Sequence, residues 1–173
     1  MTESHNSPII YRGQVTAKIM ENGRLIREIR QHNEGKPALF KQLCLCLIGN
    51  FASNGMPIYF DVGTINADKT FESKLSSPAV ITSRYIDVDG EKYYAVFEGV
   101  VSGAYINDTD RNITEFAVKS NIPSSESGKE ILAQFSLSDE AITLSSSQVL
   151  IIQWKMSFVD ATSSTTTTTG GNS

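Results

Sequence analysis

Few residues of this chain could do chemistry, and their spacing argues against most reactions. Two histidines and two cysteines occur in 173 residues. His5 lies in the polar stretch MTESHNS, and His32 closes a β-prone run just ahead of Asn33-Glu34-Gly35. A histidine acts as a base only beside a nucleophile held by a fold-specific turn, and neither a G-x-S-x-G elbow nor a papain-like cysteine context is present. His32 therefore reads as a turn or capping residue. Cys44 and Cys46 stand two apart inside an expected helix, where positions i and i+2 point to different sides. With no neighbouring Cys or His to complete a metal site, two free, buried thiols are expected.

The carboxylates are more numerous but poorly arranged. Asp87/Asp89/Glu91 and Asn107/Asp108/Asp110 could offer oxygen to a hard cation, yet neither follows the EF-hand order, so both read as solvated turns. Glu98 and Glu115 could hydrolyse a polysaccharide only if the fold held them about 5–10 Å apart in a cleft. Gly63, Gly90, Gly99 and Gly103 follow strands without a phosphate-loop pattern and read as turns and bulges. Tyr85, Tyr94 and Tyr105 are the rings that could form a ligand face. Strand alternation puts Tyr93 and Phe97 on one side and Tyr94 on the other, and core packing accounts for most of these aromatics. The expectation is a chain with no catalytic residue, no cofactor and no metal.

The elements that must position these residues follow from hydrophobic period. Residues 1–8 form a polar arm. Residues 9–32 read as a hairpin about Asn22-Gly23, the dipeptide that best tolerates the two positive φ values of a type I′ turn. A two-residue turn sets Glu21 opposite Arg24 and Ile19 opposite Ile26. One face then collects Val15, Ala17, Ile19 and Ile26, and the other collects Met20, Leu25 and Ile29. Residues 36–48 read as a helix, with Pro37 in its first turn and Gly49-Asn50 at its stop. Leu39, Leu43, Cys46 and Leu47 form an apolar stripe, widened by Phe40, Cys44 and Ile48, that would pack on a sheet.

Beyond the helix the period becomes two. Short runs recur at Ile58–Val62, Ala79–Val88, Lys92–Val101, Ile113–Lys119, Ile131–Leu137 and Val149–Val159. This predicts one mainly β domain over 9–161, a β-sandwich or jelly-roll-like fold whose sandwich strands span 57–159, with the hairpin and one packed α-helix. In the last run Leu150, Ile152, Trp154, Met156 and Phe158 all point to one side, and burying each contributes roughly 1.5–3 kcal/mol before entropy is counted. Residues 162–173 are a Thr/Gly-rich tail with nothing apolar to pack.

Net charge is -4 with pI ≈ 5.2, which argues against nucleic acid as a direct partner. The charge is unevenly spread. Between Ile9 and Lys41 seven basic residues meet three acidic ones, so that segment carries +4 and the remainder -8. Arg12, Lys18, Arg24, Arg27 and Arg30 are therefore candidate subunit contacts, basic groups available to the acidic surface of a neighbouring copy. No apolar run is long enough to span a membrane and the N-terminus lacks a signal-peptide pattern, so synthesis and assembly in a cytoplasm are expected.

Read in order, the chain contains HNEGKPALFKQLCLCLIGN, PIYFDVGT, NITEFAVKSN and KEILAQFSLSDEAITLSSSQVLIIQWKMSF. From about His32 to Phe158 this resembles a group of small tailed-bacteriophage virion structural proteins, variously described as tail, tail-fibre, baseplate or capsid-associated. Gly35, Pro57, Gly63, Thr64, Glu115, Leu132, Ala133 and Trp154 are the pattern positions. VGTINADKT departs from the pattern in lacking a second glycine, and the basic hairpin lies outside it. The resemblance implies a non-enzymatic accessory subunit of capsid or tail. Such a subunit would be made in the bacterial host cytoplasm, reside in the virion, and form homo-oligomers in contact with other virion proteins. The alternative is a receptor- or carbohydrate-binding β-sandwich module of a tail fibre.

Overall fold

The computed structural model describes residues 9–47, 49, 56–90, 92–106, 111–121, 130–137 and 141–160. The expected arm, the tail, the Ile48 end of the helix and the Asn107/Asp108/Asp110 loop lie outside the described residues.

Strands β1 (Ile9–Glu21) and β2 (Arg24–Gly35) form the expected hairpin, with Asn22 at φ 50 and Gly23 at φ 77. Glu21 faces Arg24 and Met20 faces Leu25, but a bulge follows and Ile19 faces Arg27 instead of Ile26. The extra residue reverses the phase of β2. Ile26 is left exposed, while Ile29, opposite Ala17, packs against the core. Strand β2 also runs past His32 to Gly35, so His32 lies within a strand and not at its end. Near that end Gly13 faces Asn33, whose Nδ2 donates to the mostly buried Tyr11 hydroxyl at 3.1 Å. A Cβ at position 13 would fall 1.8 Å from Asn33 Oδ1, so this packing admits only glycine.

Helix α1 (Pro37–Leu47) begins at Pro37 and is followed by Gly49 at φ 72, whose N–H donates to the Cys46 carbonyl at 3.1 Å. Its apolar stripe is broader than the face it buries. Leu39 and Gln42 are buried and Ala38 and Leu43 half-buried, whereas Phe40, Leu47 and both cysteines are exposed. The expected buried thiols are thus surface thiols. The helix packs mainly on one strand of the sheet, described next, and the Phe40 ring meets Tyr11 of β1 edge-on.

The remaining strands are β3 (Tyr59–Ile65), β4 (Phe71–Ser73), β5 (Ala79–Asp89), β6 (Lys92–Ser102), β7 (Asn112–Ile113), β8 (Glu115–Lys119), β9 (Ile131–Ser136), β10 (Ile142–Thr143) and β11 (Gln148–Asp160). Helix α1 rests on β9. The run expected at Ile113–Lys119 is split at Thr114, and the short β4 and β10 were not expected from the pattern. All pairings are antiparallel, in the order β4-β3-β5-β6-β11-β1-β2-β9-β8, and a β3–β8 pairing curls the sheet back on itself. The result is sandwich-like. A layer β5-β6-β11-β1-β2 faces a layer β4-β3-β8-β9, and they join at two corners of two residue pairs each, β2 to β9 and β3 to β5.

Between the layers Leu150, Ile152, Trp154 and Met156 of β11 are buried as the alternation requires, against Phe60, Val62, Val118 and the stacked Phe116 and Phe135 rings. Phe158 is the exception. It lies past the margin of the core, exposed, with its ring against Tyr11. On the other face of the second layer the fully buried Asp61 holds Lys119 Nζ at 2.7 Å, and its other carboxylate oxygen accepts from Ser73 Oγ and the Val62 N–H. The Lys119 ammonium also sits 4.7 Å from the centroid of the Phe71 ring. Removing one partner of such a pair leaves a charge with no compensation. Lys119→Met should therefore destabilise the fold by about 3–5 kcal/mol in urea unfolding, and an unchanged midpoint would refute this role.

Candidate functional site

Since the inner side chains of the five-stranded layer fill the core, the alternate residues of the same strands compose its outer face. Register places Tyr85 and Asp87 of β5 beside Lys92, Tyr94, Val96 and Glu98 of β6, next to Gln153, Lys155 and Ser157 of β11. Arg12 and Gln14 of β1 and His32 of β2 complete the face. Polar groups here satisfy one another. The Tyr85 hydroxyl donates to Glu98 Oε1 at 2.9 Å, and Gln153 Nε2 donates to the same oxygen at 2.7 Å. Lys155 donates to Asp87 and lies over the Tyr94 ring.

Titration follows these contacts. The Lys155 hydrogen bond holds the Asp87 carboxyl below its ordinary range, and the same bond pushes the Lys155 ammonium up. Acceptance by Glu98 pushes the Tyr85 phenol up, because ionising Tyr85 would destroy the donor. These are matched donor and acceptor pairs, and none is a base poised against a nucleophile.

Three of the hollows that border the five-stranded layer bear on the candidate residues. A basic one of about 180 Å³ is lined by Arg12, His32, Lys92 and Lys155 over Tyr94 and Ser157. An apolar groove of about 520 Å³ runs between α1 and the β5–β6 hairpin, lined by Leu39, Leu43, Cys46, Met56, Ile86, Tyr93, Phe97, Met156 and Phe158 among others. The third, about 360 Å³, holds Tyr105 with Pro78, Val80 and Val100.

The expected ligand face is therefore divided. Tyr85 and Tyr94 share the outer face, whereas Tyr105 is in the turn Gly103–Tyr105 beyond the far end of β6. The five candidate contact bases also separate. Lys18 and Arg30 both approach Glu28, at 3.9 and 2.5 Å, and Arg12 joins the basic hollow. Arg24 and Arg27 are exposed at the hairpin tip, with no carboxylate within 4 Å among the described residues. They flank Leu25 and Ile26, which are 51% and 54% exposed.

Glu98 and Glu115 do not share a cleft. The first is on the outer face of one layer, and the second is buried in the other, accepting from Gln134 Nε2 at 3.0 Å. Asp87 is engaged by Lys155, and no group of three metal-ligating side chains exists among the described residues. Sequence reasoning missed the joining of Lys92, Lys155 and Gln153 with Tyr85. The alternation of β6 and β11 was visible, but their adjacency was not. No family model, curated protein or solved structure matches the chain.

The Asp87–Lys155 pair makes a signed prediction. A depressed carboxyl pKa means the interaction is present above the usual aspartate range and is lost as pH falls through the depressed value. In an NMR titration the Asp87 midpoint should lie below that of an ordinary aspartate and return upward in Lys155→Met. Equal midpoints in the two proteins would show that the contact does not persist in solution.

Proposed function

We propose that the chain is a non-enzymatic structural subunit of a tailed-phage virion, an accessory component of capsid or tail that assembles through subunit contacts. One observation carries the assembly reading: the tip of the β1–β2 hairpin presents Arg24 and Arg27, exposed and with no carboxylate within 4 Å among the described residues, while the chain outside residues 9–41 carries a net -8. A repeated head-to-tail contact lets the basic tip of one copy meet acidic surface of the next, oriented by charge complementarity. The virion assignment draws on the ordered sequence motifs, whose pattern positions here lie in strands or just before one, with Leu132, Ala133 and Trp154 buried in the core.

The second reading, a carbohydrate- or receptor-binding module, has in its favour the 43% exposed Tyr85 beside Glu98 and Gln153. Those polar groups already bond to each other, so a sugar would have to displace them. Glycan-array binding lost on Tyr85→Ala would favour this module over the assembly reading.

Sedimentation velocity across a salt series tests assembly. Association should be present at low salt, weaken as salt rises, and be lost in Arg24→Glu/Arg27→Glu. A monomer at low salt and high concentration would remove the reading. Antibody labelling of purified phage particles tests the virion assignment itself.

A further inference from the structure

We propose that the basic hollow on the outer face of the five-stranded layer is a binding site for a phosphate-type oxyanion, free or carried as an ester. This goes beyond the assembly reading and stands apart from it. Register builds the hollow on four adjacent strands, β6-β11-β1-β2. Gln14 of β1 stands between His32 of β2 and Lys155 of β11, and Arg12 stands opposite Ser157. Lys92 and Tyr94 of β6 close the far side. Because alternate residues of a strand share a face, these side chains converge on one concavity of about 180 Å³, with cations on both flanks of it.

Three features select an oxyanion. The first is charge against the trend of the chain, which is -4 overall, whereas no carboxylate among the described residues lines the hollow. Two acids stand near it. Asp87 bonds to Lys155 and so fixes that ammonium over the Tyr94 ring, and Asp89 is opposite Lys92 without an ion pair to it. Arg12, His32 and Lys92 make no ion pair within 4 Å among the described residues, and a cleft of one sign focuses its field on a counter-ion. The second is Ser157. It is 5% exposed, lines the hollow, and its hydroxyl has no hydrogen-bond partner among the described residues, a vacancy of the kind a ligand oxygen fills. The third is the spread of donors. A carboxylate offers two oxygens in one plane and is satisfied by one guanidinium fork, but a phosphate offers three in a pyramid and takes Arg12 on one side with Lys92 and Lys155 on the other.

Amide-resolved NMR of the full chain, with sodium phosphate replacing sodium chloride at constant ionic strength, tests the site. The amides of Gln14, His32, Lys155 and Ser157 should shift and saturate. Arg12→Gln/Lys92→Gln should weaken that binding about tenfold or more, whereas Arg24→Gln/Arg27→Gln at the hairpin tip should leave it unchanged. All four positions are exposed, so folding should be unaffected, and thermal unfolding curves check this. Acetate and glucose 1-phosphate are the further probes. Acetate should bind much more weakly than phosphate. Glucose 1-phosphate binding as tightly as the inorganic ion, or more tightly, assigns an ester as the ligand, and weaker binding assigns the free ion; either supports the site. Shifts that are absent or never saturate, that persist at full strength in Arg12→Gln/Lys92→Gln, or that acetate reproduces at the same concentration would overturn the proposal and leave the assembly reading standing.

Discussion

An ammonium and a carboxylate held 2.7 Å apart, both out of reach of water, secure the strand on which closure of the sheet depends. Strand β3 pairs with β4, β5 and β8, so without it β8 and the first residues of β5 would become open edges. Burying the pair carries a desolvation cost. It is offset because the Asp61 oxygens also accept from Ser73 and the Val62 N–H, and the Phe71 ring receives the ammonium. The pair also fixes register. Val62 and Phe60 must face the core with Asp61 turned away, and a slip of one residue would drive the carboxylate among Phe116 and Phe135.

Sequence period located most of this architecture because most of it is local. The Asn22-Gly23 turn, the helix bounded by Pro37 and Gly49, and the alternating run through Trp154 each carry their signal within a dozen residues. What escaped is set by distant partners. The bulge after Ile19 depends on how β2 must align with the core, and the three residues of β4 form a strand only because β3 lies beside them. Asp61 and Lys119 are 58 residues apart, and nothing in either neighbourhood announces that they meet. The cysteines were misplaced for a related reason. An apolar stripe shows what a helix could bury, but the width of the covering sheet decides what it does bury.

The candidate surfaces were legible in kind and not in membership. The basic excess of the hairpin was visible by counting, yet only the folded chain shows Glu28 neutralising Lys18 and Arg30 while Arg24 and Arg27 meet no carboxylate among the described residues. Likewise the tyrosines were visible, but Tyr85 and Tyr94 belong together and Tyr105 does not. Their grouping with Gln153 and Lys155 requires β11 to lie against β6, a pairing across about fifty residues that no periodicity encodes.

The corners that join the layers are short, and the two outer strands of the five-stranded layer are left unpaired along most of their length. Strand β5 meets β3 only at Ala79 and Val80, and β2 meets β9 only at Glu34 and Gly35. Among the described residues no strand lies beside Thr82–Asp89 of β5 or Arg24–Asn33 of β2 on the side away from the layer. Open edges of that length are where further strands add, and charged side chains are a common means of blunting them. Arg24, Arg27, Glu28 and Arg30 stand along the open part of β2, and Arg84, Asp87 and Asp89 along that of β5. The charge of the hairpin therefore has a use within the fold, keeping an unpaired edge from adding strands indiscriminately, as well as the one it has at a contact between copies.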